Sequence, residues 1–249
     1  MLKKILTLSV VLLLGAYLVV AMTRLNRQPA DAVCRDIVLN IGQDARPEGF
    51  ITEAELKKLL KKGNLYPQGK KMDDIRCRDI ESYLKKSPFI ENAECYKSPT
   101  GHICIEVTQR IPVLRIMANN GDQYYLDSKG NSIPLSGYAA HLPVVTGQVT
   151  HKNAEPLLQE LSLCIQQDSF WNSQIEQIHV TPAGELEMIP RVGDHVVFLG
   201  KPKDIEGKLN RLKTFYQKAL NKVGWNKYTR ISLEFNNQII CTKKKEVSI

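Results

Sequence analysis

From Ile5 to Met22 the chain reads ILTLSVVLLLGAYLVVAM, without a charged residue. The hydrocarbon core of a bilayer is about 30 Å thick and a helix rises about 1.5 Å per residue, so a spanning helix needs roughly 17–25 apolar residues. This segment is just long enough. In lipid only a helix or a closed barrel satisfies every backbone N–H and C=O internally. Residues 5–22 are therefore expected to form a transmembrane helix, with 1–4 as a cytoplasmic N-terminus and 23–31 as a polar linker. Lys3, Lys4 and the free amine precede the segment, and Arg24 and Arg27 follow it. That balance favours an N-in orientation with everything after Met22 outside the cytoplasm. Val19-Val20-Ala21 also fits a signal-peptidase site, and cleavage stays open as the alternative. The apolar run is long for a leader and carries no polar stretch before Ala21, which favours the uncleaved anchor.

The remainder is globular in composition. Of 249 residues, 43% are hydrophobic and 24% charged, which argues against disorder and for one large domain or two small ones. The net charge of +8 suits nucleic acid, anionic lipid or an acidic partner equally. A chain that leaves the cytoplasm rarely meets nucleic acid, so no nucleic-acid partner is expected.

Six cysteines in an exported chain invite disulfides. Cys34, Cys77, Cys95, Cys104, Cys164 and Cys241 are scattered, however, with no CxxC. Cys95 and Cys104 flank the turn Ser98-Pro99-Thr100-Gly101, which suits a type I turn with a glycine bulge. That register sets Tyr96 opposite Cys104 and Cys95 opposite Ile105. Ala93 and Cys95 then share a face with Ile103, Ile105 and Val107. A one-residue slip would pair Cys95 with Cys104 but turn Ala93 and Cys95 away from those apolar residues. The cysteines read as small apolar core residues, with a disulfide as the alternative.

Along the chain, Ile37, Leu39 and Ile41 alternate with polar residues as a strand. Gly42 to Gly49 is a loop. Thr52-Glu53-Ala54-Glu55 is a capping box opening a helix that stops at Gly63. A second helix is expected from near Asp73 through Cys77, Ile80, Tyr83 and Leu84, ending at Ser87-Pro88. With the hairpin of Ile90 to Thr108 the order is β-α-α-β-β. After Gln109-Arg110-Ile111-Pro112 the texture changes to short strands. Val113 to Met117 and Tyr124 to Leu126 flank Asn119-Asn120-Gly121. A helix is expected from Ala154 to Gln167. Two strands flank Pro182-Ala183-Gly184, and Val196 to Leu199 is a third. Pro202 suits helix position N1, and Ile205, Leu209, Leu212, Phe215 or Tyr216, Ala219 and Val223 form a helical stripe. Tyr228 to Phe235, the turn Asn236-Asn237 and Gln238 to Cys241 close the β-rich part, followed by a tail with three consecutive lysines. The fold class is α+β, a mixed β-domain with two helices following the smaller unit.

Catalytic motifs are missing from this pattern. None of His102, His141, His151, His179 and His195 lies beside a serine or cysteine in a nucleophile motif, and GxSxG, HExxH and GxxxxGK[ST] do not occur. Asp127-Ser128-Lys129-Gly130 is a turn rather than a calcium loop, because a lysine stands where the next ligand would fall. No enzyme activity, metal, cofactor or small-molecule substrate is expected. Gln238-Ile239-Ile240-Cys241 is different: a terminal strand tends to lie at a sheet edge, and an open edge can accept a strand from a partner. An ordinary paired strand is the competing reading.

The pieces in this order resemble the FtsQ/DivIB family of bacterial cell-division proteins. Ser87-Pro88-Phe89-Ile90 and Ile103 to Val113, with its arginine-proline exit, are similar to the final hairpin of that family's POTRA domain. Tyr125-Leu126-Asp127 through Gly130 and Leu142 to Gly147 are similar to the start of its β-domain. Val196 to Gly200, with Lys208, Leu209 and Leu212, is similar to a later strand and helix. The resemblance implies a POTRA domain over 32–110, a β-domain over 111–242 and a basic tail over 243–249. It implies a non-enzymatic scaffold of the inner membrane, enriched at the septum, with its C-terminal domains periplasmic. It implies further that the last strand receives a strand from FtsB, the coiled-coil partner of FtsL, and that the rest contacts proteins such as FtsW and FtsI. By position, the partner strand would lie along Gln238, Ile239, Ile240 and Cys241, with Phe235 as an apolar contact. A POTRA-type module for envelope assembly or protein export is the alternative.

Overall fold

The computed structural model describes residues 2–24, 32–42, 51–135 and 141–244, and within the first helix the side chains of 9–21. Most of the expected linker, the loop after Gly42, residues 136–140 and the tail from Lys245 lie outside the described residues. The chain divides into two compact units, Met1–Gln109 and Arg110–Ile249.

Helix α1 spans Leu2–Arg24. Its described apolar side chains from Val10 to Val20 are at least half exposed. Among the described residues, no helix is long and apolar enough to cross a membrane. The stretch expected as an anchor at 5–22 is helical, within α1.

The rest of the first unit follows the order β-α-α-β-β. Strand β1 is Asp36–Gly42, helix α2 Glu53–Lys62, helix α3 Cys77–Leu84, strand β2 Ile90–Lys97 and strand β3 His102–Gln109. The sheet order is β1-β3-β2, with β1 parallel and β2 antiparallel to β3. Leu56 and Leu60 of α2 and Ile80 and Leu84 of α3 bury against Ile90, Ala93 and Cys95 of β2 and Ile103, Ile105 and Val107 of β3. The hairpin takes the register that hydrophobicity selects, with Cys95 opposite Ile105 and Tyr96 opposite Cys104. All six cysteines are free thiols.

The capping box is complete. Thr52 Oγ1 accepts from the Glu55 N–H at 3.3 Å, and Glu55 accepts from the Thr52 N–H at 2.8 Å. Gly63 ends α2 for a reason other than conformational freedom. Its backbone is right-handed, but a Cβ there would meet the Tyr83 ring at 2.6 Å. Asn64 takes the left-handed position instead, at φ 56°. The second helix starts later than expected. Met72–Asp74 is a separate 3-10 turn, and buried Ile75 is extended before α3 begins at Cys77.

Among the described residues the second unit holds one nine-stranded mixed sheet. Its strands are β4 (Pro112–Ala118), β5 (Gln123–Asp127), β6 (Ser132–Pro134), β7 (Val144–Gly147), β8 (Ile175–Val180), β9 (Leu186–Pro190), β10 (Val196–Gly200), β11 (Tyr228–Ser232) and β12 (Ile240–Lys243). Their order is β12-β11-β10-β9-β8-β7-β4-β5-β6. Helices α4 (Ala154–Gln167) and α5 (Ser169–Gln174) connect parallel β7 and β8, while α6 (Ile205–Phe215) connects parallel β10 and β11. Parallel neighbours require such crossovers. Alternate strand residues such as Val145, Ile178, Met188, Val197 and Ile231 join Leu158, Leu161, Trp171, Leu209 and Leu212 in one core.

Several expectations need correction here. Two helices were expected, but α5 is a third, capped by Asp168, whose carboxylate accepts from the Phe170 N–H at 3.0 Å. Pro202 is not at N1; α6 begins at Ile205, after Asp204 at φ 54°. A π-helical turn over Tyr216–Leu220 follows α6. The added residue in that turn rotates the buried stripe, so Tyr216 and Leu220 face the core and Val223 is exposed.

Candidate functional site

The last strand sits at one end of the sheet. Among the described residues β12 pairs only with β11, antiparallel, setting Cys241 opposite Ile231 and Ile240 opposite Ser232. The turn before it passes through Asn237 in the left-handed region, at φ 64°. The sequence placed the strand at Gln238 to Cys241; it lies two residues further on, at Ile240 to Lys243. Gln238 and Ile239 form the approach to it.

The direction of each backbone group follows from the neighbouring strand. The Leu233 N–H donates to the Phe198 carbonyl at 2.9 Å, so odd-numbered residues at this end of β11 point to β10. Ser232 and Arg230 therefore point toward Ile240 and Thr242 of β12. At the far end the Lys244 N–H donates to the Lys227 carbonyl at 3.0 Å. Even-numbered residues of β12 are thus consumed by β11. Cys241 and Lys243 turn their N–H and C=O outward. Sequence reasoning missed Lys243, having read it as the start of a solvated tail; the register with β11 is the signal that finds it.

The five candidate side chains divide into two groups. Ile239 and Cys241 are half-buried and pack against the core. Burial pushes the Cys241 thiol pKa up, so it acts as a small apolar group. Phe235, Gln238 and Ile240 are exposed, Phe235 and Ile240 at 48% and 47%. Large apolar residues this open beside an unpaired edge form a surface on which a partner could pack. The charges around it are mostly basic: Lys227, Arg230, Lys243 and Lys244. Arg230 pairs with Glu187 at 2.8 Å and lies 4.5 Å over the Phe198 ring. Lys244 reaches Asp194 at 3.4 Å, an exposed pair of little energetic weight.

The strands beneath this edge are fixed by buried polar groups. Lys208 is only 6% exposed and donates to the carbonyls of Leu199 at 2.7 Å and Lys201 at 2.9 Å, tying α6 to the end of β10. Glu160 of α4 accepts from the Ile205 N–H at 2.6 Å, capping α6 from outside. His195 Nε2 and the Tyr216 hydroxyl share a buried 2.8 Å hydrogen bond beside Trp225. Burial lowers the His195 pKa.

The turn after β5 is explained by its own bonds. Asp127 Oδ1 accepts from the N–H groups of Lys129 at 2.9 Å and Asn131 at 2.7 Å, while Oδ2 meets Arg110 at 2.9 Å and Asn131 Nδ2 at 2.9 Å. Both oxygens are committed to protein donors, as a turn requires and a cation site does not. Among the described residues, no cluster of three His, Cys, Asp or Glu side chains could hold a metal ion.

Comparison with known proteins agrees with this architecture. Residues 32–108 match the family model for a POTRA-like domain. Residues 111–242 match the model described as FtsQ/DivIB, C-terminal related. A protein of Rhodothermus marinus named "Cell division protein FtsQ" is 28% identical over 181 residues, covering 68% of this chain and 66% of that protein. The aligned part thus spans about two thirds of the relative's length. With more than half its length matched by the FtsQ/DivIB model, this chain belongs to the FtsQ/DivIB C-terminal-related family.

Proposed function

We propose that the chain is a non-enzymatic scaffold of the cell-division machinery, binding an FtsB/FtsL-like coiled-coil pair by strand addition at β12. The observation that carries this is the outward N–H and C=O of Cys241 and Lys243 at the end of the sheet, in a chain whose relative is a cell-division protein. Backbone pairing would supply affinity, and Phe235, Gln238 and Ile240 would supply choice among partners.

The same reading makes residues 5–22 a single-pass anchor in the inner membrane. The reading rests on the uncharged stretch from Ile5 to Met22, which as a helix would rise about 27 Å at about 1.5 Å per residue, near the thickness of a bilayer core. Residues 1–4 would be cytoplasmic, 23–31 a linker, 32–110 a periplasmic POTRA domain, 111–242 the β-domain and 243–249 a basic tail. The septum would be its site of enrichment, with FtsW and FtsI as further contacts. The POTRA-like match supports the second reading, an envelope-assembly or export module.

The test is co-purification from detergent-solubilised membranes with the parent chain, Lys243→Pro and Lys243→Gln. Proline removes an outward donor while leaving the β11 pairing intact, and is tolerated on an edge. Glutamine removes only the charge. Thermal melts must show all three folded. Capture of a coiled-coil division pair by the parent and Lys243→Gln, but not by Lys243→Pro, supports both function and edge. Equal capture by all three keeps the scaffold and discards the edge. Capture of barrel or export proteins instead moves the second reading ahead.

A further inference from the structure

We propose that Cys77 and Cys95 are a disulfide-forming pair that locks α3 to β2 in the first unit. The geometry is set by Glu81. Its Oε1 accepts from the Cys95 N–H at 2.8 Å, which places the α3 face bearing residue 81 directly over residue 95 of β2. Cys77 lies one turn earlier, and side chains four apart share a helix face at about 5–6 Å spacing. Burial raises the Cys95 pKa most, and the Cys77 thiol is near enough to act on its ionisation and raise it further. Both pack against the same core. Thiols on facing positions of packed elements can approach the roughly 2.05 Å of a disulfide mainly by side-chain rotation.

The other cysteines are placed differently. Cys104 is opposite Tyr96, one residue out of step with Cys95, and successive strand residues point to opposite faces. The Cys34 thiol donates to the Asp36 carbonyl at 3.4 Å. Cys164 and Cys241 belong to the second unit.

Exposure sets the order of events. Cys95 is only 8% exposed, whereas Cys77 is partly open to solvent. With a disulfide oxidant such as oxidised glutathione, the Cys77 thiolate attacks one sulfur and expels the first glutathione thiolate. Cys95 then loses its proton to solvent, attacks the Cys77 sulfur and expels the second. Two protein thiols are oxidised to one disulfide, and one glutathione disulfide is reduced to two thiols. The chemistry depends only on the fold. Its occurrence in the cell rests on the extracytoplasmic location proposed above.

The full chain in detergent, incubated with oxidised glutathione, tests this by thiol titration, peptide mapping and melting. The expected result is a drop from six free thiols to four, a peptide linking Cys77 to Cys95, and a thermal midpoint for the first unit raised by at least about 5 °C. Dithiothreitol should reverse it. Cys77→Ser should abolish the link and Cys104→Ser should leave it. Six surviving thiols, a link to Cys104, or glutathione retained on Cys77 would overturn the proposal. Alkylating whole cells before lysis separates the two claims. A pair that closes in vitro yet stays reduced in cells refutes the location and keeps the disulfide chemistry.

Discussion

Replacing Lys208 with methionine isolates one polar contact in the second unit. Methionine keeps an unbranched apolar stem of similar length, so packing against α6 and β10 changes little. What disappears is the ammonium held between the Leu199 and Lys201 carbonyls at 2.7 and 2.9 Å. A hydrogen bond from a charged donor is worth about 1.5–3 kcal/mol, and a buried acceptor left unpaired costs about 1–3 kcal/mol. Against this stands the desolvation of the amine, which lowers the Lys208 pKa and is relieved in the variant. The balance is a loss of about 2–4 kcal/mol for the unit. Guanidinium unfolding followed by tryptophan fluorescence reads it cleanly, because Trp171 and Trp225 are the only tryptophans and both lie in the second unit. A loss below about 1 kcal/mol would mean that the two carbonyls find water or other donors, and the bracing role would be wrong.

Two further stability predictions follow from the same unit. His195 has a folded pKa below its unfolded value near 6.5. The unfolded state therefore binds the proton first as pH falls, so this stabilisation is complete above about pH 6.5 and is lost on acidification toward the folded pKa, at up to about 1.4 kcal/mol per pH unit. His195→Gln should flatten the stability curve between about pH 7 and 5.5, and an unchanged slope would rule the histidine out. Asp127→Ala should cost about 3 kcal/mol, since it strands Arg110 and unpairs the Lys129 and Asn131 N–H groups; a shift within error would show that the turn is held by other contacts.

The sequence was most legible where one local rule acted alone. The capping box at Thr52, the register of the Cys95 hairpin and the limits of α4 all follow from side-chain identity over short spans. It was least legible where tertiary contacts chose between local options. Periodicity left Phe215 and Tyr216 as alternatives, and the π turn buries Tyr216, whose hydroxyl bonds to His195 on another element. Gly63 was a correct stop signal, but its small size serves the Tyr83 ring, which is distant in sequence. β6, three residues closed by Pro134, has too little alternation to announce itself. The candidate strand shifted by two residues because Ile239, apolar enough for a strand, packs against the core as part of the approach.

The two ends of the nine-stranded sheet differ in kind, and this difference bears on the functional reading. At the β6 end the strand is short and finishes in proline, which has no N–H to offer. At the β12 end no proline occurs, and the blunting device is charge, with Lys243 and Lys244 exposed along and beside the strand. Lysines on an edge disfavour casual pairing through desolvation and repulsion. Carboxylates on an incoming strand would offset that barrier, whereas no side chain can replace a missing backbone donor. The chain's order produces this asymmetry. α6 returns the chain to β11 beside β10, and the tight turn at Asn236 and Asn237 can then place β12 only on the outer side. Under the strand-addition reading proposed above, a β12 edge guarded only by charge and, at the opposite end of the sheet, a short β6 that finishes in proline would favour one partner strand over polymerisation. Lys243→Pro makes the β12 end resemble the β6 end, and capture that survived it would remove this asymmetry as the basis of partner choice.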